Sequence, residues 1–245
     1  MSEFYEFYVR AFSIALPVLA VAIGMQGALR ANMTGRQIGS IVLVASIVFG
    51  LWFAWTVPLA SDGVFQVPLV MAEPPFVFAF LFGGSTLIWF LAWHTPLGRK
   101  MTKATPLSAI AAFQIPRVMG GVFLVAWLAD DLPALFAVPA ALGDIWAGVA
   151  GWRASRALAM KAPKAHRLLT WSIVIGIVDF ILAVSLGIMT SEGILRIFFV
   201  GPNIINDYPL ALFPAYFVPV FLGFHFVAMA RLRHERPASA AAGST

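Results

Sequence analysis

Seven apolar stretches of about 20 residues restrict the fold of this chain more strongly than any other sequence feature. A transmembrane helix needs about 20 predominantly apolar residues to cross the hydrocarbon layer of a bilayer. The 245-residue chain is 61% apolar and only 11% charged, whereas soluble domains carry about 25% charged residues. Because so few ionisable groups cannot cover a water-facing surface, we predict an all-α, polytopic membrane helix bundle.

Charges and clusters of Pro and Gly separate the seven predicted helices. The predicted helices cover residues 11–29, 38–60, 75–97, 108–129, 132–152, 168–190 and 208–230. We expect them to form one transmembrane domain over residues 1–236, followed by a disordered C-terminal tail over residues 237–245. The turn between the fourth and fifth helices must be tight, because only Asp130 and Asp131 separate the two apolar runs.

The distribution of basic residues predicts the orientation of the bundle. Thirteen of the 16 Lys and Arg residues follow the first, third, fifth and seventh predicted helices, and such residues collect on the cytoplasmic side of membranes. We therefore expect the N-terminus outside and the C-terminus in the cytoplasm. The pI of about 10.0 reflects these short loops, so we predict contact with the lipid bilayer and no nucleic-acid partner.

Three charged residues lie near the middle of predicted helices, where lipid would reject them. They are Arg117 in the fourth helix, Asp144 in the fifth and Asp179 in the sixth. One charge at the bilayer centre costs about 2.5 to 3.5 kcal/mol, so we expect the three side chains to face inward and meet. Small residues share the helix faces of both Asp residues, which favours close packing there. Gln114, one turn before Arg117, is a further candidate ligand-binding residue.

The charge count of this cluster is unbalanced. One Arg against two Asp leaves one carboxyl group without an ionic partner, and burial then favours its protonated form. Such a group suits a proton carrier or a site for a small ligand or ion. Alternatively, Arg117 bonds both carboxylates and only fixes the helix arrangement. Structural pairing, ligand or ion binding, and proton transfer therefore all stay open.

Two histidines form a second candidate site. His94 lies near the cytoplasmic end of the third predicted helix, and His225 lies at a similar distance from that end of the seventh. Two imidazoles at one depth, with aromatic neighbours, can hold a haem iron. No third ligand with zinc spacing is present. We expect no cofactor or metal, with haem as the alternative.

The start of the seventh predicted helix is rich in prolines and aromatic residues. Its prolines are Pro209, Pro214 and Pro219. Repeated prolines bend a helix and free backbone carbonyls. Together with Tyr208, Phe213 and Tyr216, they predict the wall of a pocket for an apolar or amphipathic ligand. The alternative is that these rings face lipid.

Several enzyme and cofactor classes are disfavoured by the sequence. All four lysines lie in predicted loops, so no helix offers an amine for a retinal Schiff base. The chain lacks Walker, kinase, zinc-protease and nucleophile-elbow motifs. We therefore favour a non-enzymatic role.

Motifs in the second half of the chain resemble those of a family of uncharacterised bacterial membrane proteins with seven helices. They are Arg117-Val-Met-Gly-Gly-Val-Phe-Leu, the run from Leu132 to Asp144, Gly176-Ile-Val-Asp179, and the run from Tyr208 to Pro219 followed by His225. The resemblance implies a multi-pass protein of the bacterial inner membrane. It implies no activity.

Three functional hypotheses follow from the sequence. The first is an inner-membrane protein that binds or transports a small ligand, ion or proton at the Arg/Asp cluster. The second is a non-catalytic subunit or receptor that packs against other membrane proteins, with the cluster purely architectural. The third is a haem-binding membrane protein.

Overall fold

The structure, a computed structural model, describes the backbone of residues 2–242 and the side chains of residues 3–235. This part of the chain contains helices and no strand, which confirms the all-α prediction. The α-helices are α1 (Ser2–Arg30), α2 (Gly35–Ser61), α3 (Phe76–Trp93), α4 (Pro96–Ala104), α5 (Leu107–Ala112), α6 (Val122–Leu128), α7 (Ala134–Ala159), α8 (Ala165–Thr190) and α9 (Val218–Ala242). A 3-10 segment (Ile115–Gly121) joins α5 to α6, and a π-helical segment (Phe213–Phe217) precedes α9.

Seven helical stretches are long and apolar enough to cross a membrane. Two of them combine several elements, because α5, the 3-10 segment and α6 form one stretch, and the π-helical segment continues into α9. The seven predicted helices correspond to these stretches. Their ends differ most at α1, which begins at Ser2, at α7, which continues to Ala159, and at α9, which continues to Ala242. Helix α9 continues into the tail predicted to be disordered, whose last three residues lie outside the described residues.

The third predicted helix is shorter than expected, because a new helix begins within it. The side chain of Thr95 accepts a hydrogen bond from the backbone N–H of Gly98 at 3.0 Å, and Pro96 occupies the first turn of α4. Both are favoured at a helix N-terminus. Helix α3 therefore ends at Trp93, and the basic residues that follow lie on α4.

The fourth stretch is interrupted where its charged residue lies. Pro116 has no N–H to donate to the carbonyl of Ala112, and α5 ends at Ala112. The chain continues as the 3-10 segment, which turns more tightly than an α-helix. Arg117 therefore projects from an irregular segment in the middle of a long apolar stretch.

Hydrogen bonds join segments that the charge pattern assigns to the same side of the membrane. At one end of the bundle, the Tyr5 hydroxyl of α1 donates to Asp131, between α6 and α7, at 2.8 Å. At the other end, Arg231 of α9 donates to the backbone carbonyls of Thr102 and Thr105, in and directly after α4. The acidic and basic connections thus lie at opposite ends of the bundle.

Helix α2 is peripheral, in contrast to the later helices. Only Thr56 and Ala60 of α2 are buried. Helix α7, in contrast, has small buried residues along most of its length, from Ala137 to Ala157. Small residues let neighbouring backbones approach closely, and α7 packs against both the 3-10 segment and α8.

Candidate functional site

Arg117 is the centre of a buried polar cluster in the middle of the bundle. None of its side-chain surface is exposed. Its Nε donates to Oδ1 of Asp144 at 2.9 Å, and one Nη donates to Oδ2 of Asp179. The other Nη donates to the carbonyl of Gly176 at 3.2 Å and lies 3.4 Å from Nε2 of His225. Every guanidinium nitrogen therefore has a partner.

Two further contacts of this guanidinium are informative. One defines the tautomer of His225, and the other places the ring of Phe180 against the guanidinium. Arg117 has no acceptor atom, so Nε2 of His225 must accept in this contact, which places the imidazole proton on Nδ1. The Cζ atom of Arg117 lies 3.7 Å from the centroid of the Phe180 ring. A ring face at this distance attracts a cation. It also covers the planar face of the guanidinium, which forms no hydrogen bonds.

Glycines allow the four chain segments of the cluster to approach one another. A Cβ atom at Gly120 of the 3-10 segment would overlap Asp144, and one at Gly143 of α7 would overlap Asp179. A Cβ atom at Gly176 of α8 would lie 2.6 Å from Cε1 of His225 and 2.7 Å from Nη1 of Arg117. The cluster is therefore closely packed at all three glycines.

The charges and hydrogen bonds of the two carboxyl groups are not equivalent. The side chain of Asp144 is 16% exposed, whereas that of Asp179 is 5% exposed. Oδ1 of Asp179 is buried, and no described residue donates a hydrogen bond to it. A buried polar atom without a partner is costly, and an uncompensated charge more so. One guanidinium thus serves two carboxyl groups, and one buried oxygen of the pair receives no hydrogen bond from the described residues.

Gln114 was predicted to contribute to this site, but the structure places its amide elsewhere. Its Nε2 donates to the backbone carbonyl of Phe221 at 3.2 Å, and its Oε1 is buried without a partner among the described residues. The side chain of Gln114 ties the chain after α5 to α9. Among the described residues it makes no hydrogen bond to a side chain of the Arg117 cluster, although its backbone carbonyl accepts from the backbone N–H of Arg117 at 3.1 Å.

The two histidines, which the haem hypothesis places at one depth, lie at different depths in this structure. His225 is 1% exposed and belongs to the Arg117 cluster, whereas His94 is exposed and stacks on Phe90. Trp93 contacts His234, nine residues beyond His225 and so about 13 Å further along α9. Among the described residues, no group of three or more His, Asp and Glu side chains is arranged to hold a metal ion.

Of the three residues predicted to form the wall of a pocket, two line a groove and one lies in the core. A groove of about 790 Å³ lies between α1 and α2, and Tyr208 and Tyr216 contribute to its wall. Phe213 does not line it; this side chain is 4% exposed and packs against Phe123 and Phe217. The π-helical segment thus directs the ring of Phe213 into the core.

Sequence analysis did not predict that His225 and Phe180 belong to the cluster. A partial signal was present for Phe180, which directly follows Asp179. The close approaches at Gly120, Gly143 and Gly176 were visible only as small residues near the charged ones. Which atoms they contact depends on the packing of separate helices.

Residues 74–233 match the family described as Domain of unknown function (DUF8737), and the chain belongs to this family. The resemblance to an uncharacterised family is thereby confirmed. No curated protein and no solved structure matches the chain. The matched segment contains all residues of the Arg117 cluster, and α1 and α2 lie before it.

Proposed function

We propose that this protein is an integral protein of the bacterial inner membrane whose Arg117 cluster binds one exchangeable proton, shared by Asp144 and Asp179. The N-terminus would lie outside and the C-terminus in the cytoplasm. Seven apolar helical stretches support membrane insertion. The separation of acidic and basic loops to opposite ends of the bundle supports the orientation.

The orientation can be tested directly, because the chain contains no cysteine. Glu73 and Lys103 are both exposed and lie in connections at opposite ends of the bundle. In intact cells, a membrane-impermeant maleimide is expected to label the Glu73→Cys variant. The Lys103→Cys variant should react only after the membrane is permeabilised. The reverse pattern would show that the proposed orientation is wrong.

The observation that carries the proton proposal is the buried Oδ1 atom of Asp179, which has no partner among the described residues. Two ionised carboxylates beside one guanidinium would leave one uncompensated negative charge in a low-dielectric interior, which is costly. One proton removes this excess charge. A proton is also the smallest ligand that does so, and the glycine contacts leave little room for a larger one.

The two carboxyl groups share one guanidinium and form one site. Asp144 is partly exposed and Asp179 is almost completely buried, and Arg117 contacts both. Two carboxyl groups that interact this closely titrate as one unit. The proton therefore belongs to the pair.

Infrared spectroscopy of the purified protein tests this proposal. The carbonyl stretch of a protonated carboxyl group is expected near neutral pH in the wild type. It should be lost in both Asp144→Asn and Asp179→Asn, because either change leaves one carboxylate balanced by one guanidinium. The Glu73→Gln variant is the control and should keep the band. If the wild type lacks the band, or if both Asn variants retain it, the proposal fails.

A second candidate function is supported by the complete coordination of Arg117. With all of its nitrogens engaged and glycine backbones packed around it, the cluster is also suited to holding the 3-10 segment against α7 and α8. In that case the protein would be a membrane subunit. Co-purification of the same partner proteins in mild detergent, together with no protonated carboxyl band, would favour this function.

A further inference from the structure

A second polar region lies at the end of the bundle where the acidic connections meet. Residues 191–212, between α8 and the π-helical segment, form a long irregular connection. Connections longer than about 12 to 15 residues without secondary structure are uncommon and are usually functional or disordered. This connection is anchored, because Ile205 is 5% exposed and Leu210 is completely buried.

The connection forms one wall of a polar pocket with a volume of about 360 Å³. This volume is at the lower end of the range of about 300 to 1,000 Å³ that is usual for small-molecule sites. Hydroxyl, amide, carboxylate and guanidinium groups all contribute to the wall. Its polar residues include Gln66, Thr190, Arg196, Asn203, Asn206 and Asp207.

Two opposite charges line this pocket without pairing with each other. Nε of Arg196 is buried and has no hydrogen-bond partner in the described part of the chain. Nη2 of Arg196 donates to the carbonyl of Val200 at 3.3 Å, and Nη1 lies 3.8 Å from Glu192. Asp207 accepts a hydrogen bond from Gln66, and none of the ion pairs among the described residues includes it.

Hydrogen bonds hold the amide groups of the wall in position. Nδ2 of Asn203 donates to Oγ1 of Thr190 at 2.8 Å and to Oγ of Ser191 at 3.2 Å. Oδ1 of Asn203 accepts from the backbone N–H of Ile205 at 3.2 Å, and Nδ2 of Asn206 donates to Ser191 at 2.9 Å. A wall whose side chains are fixed in this way is preorganised for a ligand.

We propose that this pocket binds a small zwitterionic molecule of the size of a free amino acid. The ligand carboxylate would accept from Nη1 of Arg196, and the ligand ammonium would donate to Asp207. A dipolar ligand would pair with both of these groups without adding net charge to the pocket. In the proposed orientation, the pocket opens to the outside of the cell. This binding does not depend on the proposed proton site.

Calorimetric titration of the purified full chain with a panel of common L-amino acids tests the ligand class. At least one is expected to bind. Its N-acetyl form lacks the ammonium and its methyl ester lacks the carboxylate, so each should bind about tenfold more weakly or worse. The inference is wrong if no amino acid binds, or if both blocked forms bind as well as the parent compound.

Substitutions in the pocket test its location. Arg196→Gln and Asp207→Asn should each weaken binding about tenfold or more. Arg10→Gln and Asp62→Asn remove exposed charges at the same end of the bundle and should keep wild-type affinity. Asp179→Asn should also bind normally, so this test and that of the proton site can fail separately. Unchanged affinity in both pocket variants would show that the ligand binds elsewhere.

The pH dependence of binding gives an independent measurement. Burial raises the pKa of the Asp207 carboxyl group, and only its ionised form pairs with an ammonium. Affinity should therefore fall on acidification, and at a higher pH than for an ordinary Asp. Glu192 and Arg196 are the other charged groups of the pocket. If Asp207→Asn binds the ligand with the same pH profile as the wild type, Asp207 is not the ammonium partner.

Discussion

Glycines in two regions of this protein have opposite surroundings. Around Arg117, a Cβ atom at any of three glycines would overlap or closely approach cluster side chains; these glycines are Gly120, Gly143 and Gly176. Along α2, a Cβ atom would have no described atom within 4 Å; these glycines are Gly35, Gly39 and Gly50. In the first region glycine permits the backbone approach that the ion pairs require. In α2 no such contact is present.

The glycines around Arg117 lie in the part of the chain that matches the family. The glycines of α2 lie in the part before it. The match begins at residue 74, after α2. From Gly35 to Trp55, none of the described side chains of α2 is buried. The cluster region should therefore be sensitive to small changes of charge and volume, and α2 should tolerate them.

The largest effect is expected when the positive charge of the cluster is removed. Arg117→Met leaves two buried carboxyl groups without their guanidinium, and breaking a buried ion pair in this way costs about 3 to 5 kcal/mol. The matched change in α2, Arg36→Met, affects an exposed residue and should change stability by less than about 0.5 kcal/mol. Thermal unfolding and size-exclusion chromatography in detergent measure both.

Adding Asp144→Asn and Asp179→Asn to Arg117→Met should restore part of the lost stability, because no unpaired charge then remains. If Arg117→Met alone is as stable as the wild type, the two regions do not differ in the way proposed.

A smaller effect is expected from one added methyl group. In Gly143→Ala, the new methyl group would overlap the carboxyl group of Asp179, and overpacking costs about 1 to 3 kcal/mol. Gly39→Ala adds the same group in open space and should stabilise α2 by up to about 1 kcal/mol, because Ala favours helix more than Gly. The comparison breaks down if both variants shift the unfolding temperature in the same direction.

Removing one carboxylate charge should cost less than the added methyl group. Asp144→Asn or Asp179→Asn leaves one carboxylate for Arg117, so we expect a loss of about 0.5 to 1.5 kcal/mol, as for a single hydrogen bond. The double variant leaves the buried guanidinium without a carboxylate and should be much less stable. Unfolding curves for the two single variants and the double variant give this order; equal losses in all three would contradict it.

The smallest effect is expected where α2 contacts the body of the bundle. The Tyr216 hydroxyl donates to the carbonyl of Phe49 in α2 at 3.3 Å, whereas the Tyr8 hydroxyl donates to the carbonyl of Met119, beside the cluster, at 2.8 Å. Tyr216→Phe should cost at most about 0.5 kcal/mol and Tyr8→Phe about 1 kcal/mol. A larger loss for Tyr216→Phe would show that α2 is held more firmly than its exposure suggests.

The sequence predicted the helical stretches because span length and charge distribution are properties of local segments. For example, the helix predicted over residues 168–190 ends at the same residue as α8 (Ala165–Thr190) and begins three residues later. The break at Pro116 was accompanied by a local signal, a proline without an N–H. The separate helix α4 was not predicted, because the capping by Thr95 depends on one hydrogen bond rather than on hydropathy.

The meeting of Arg117, Asp144 and Asp179 was predicted from the cost of isolated charges in lipid. The involvement of His225 was not predicted. A neutral imidazole does not carry the cost of a charge in lipid, and its position along the helix does not show which neighbouring helix it faces. The surroundings of Gln114 and Phe213 could not be predicted for a related reason. An amide or an aromatic ring can be accommodated on several faces of a helix, and the neighbouring helices decide which one it occupies.

The amino-acid sequence by itself determined seven apolar helices, the ends at which their charges collect, and the need for three charges within apolar stretches to meet. Each of these follows from transfer energies that single segments carry with them. Only the tertiary structure decided that Arg117 is fully coordinated, that no described residue donates to Oδ1 of Asp179, and that Arg196 and Asp207 line one pocket without pairing with each other. These are relations between atoms of different segments, and their geometry is fixed only when the backbones pack.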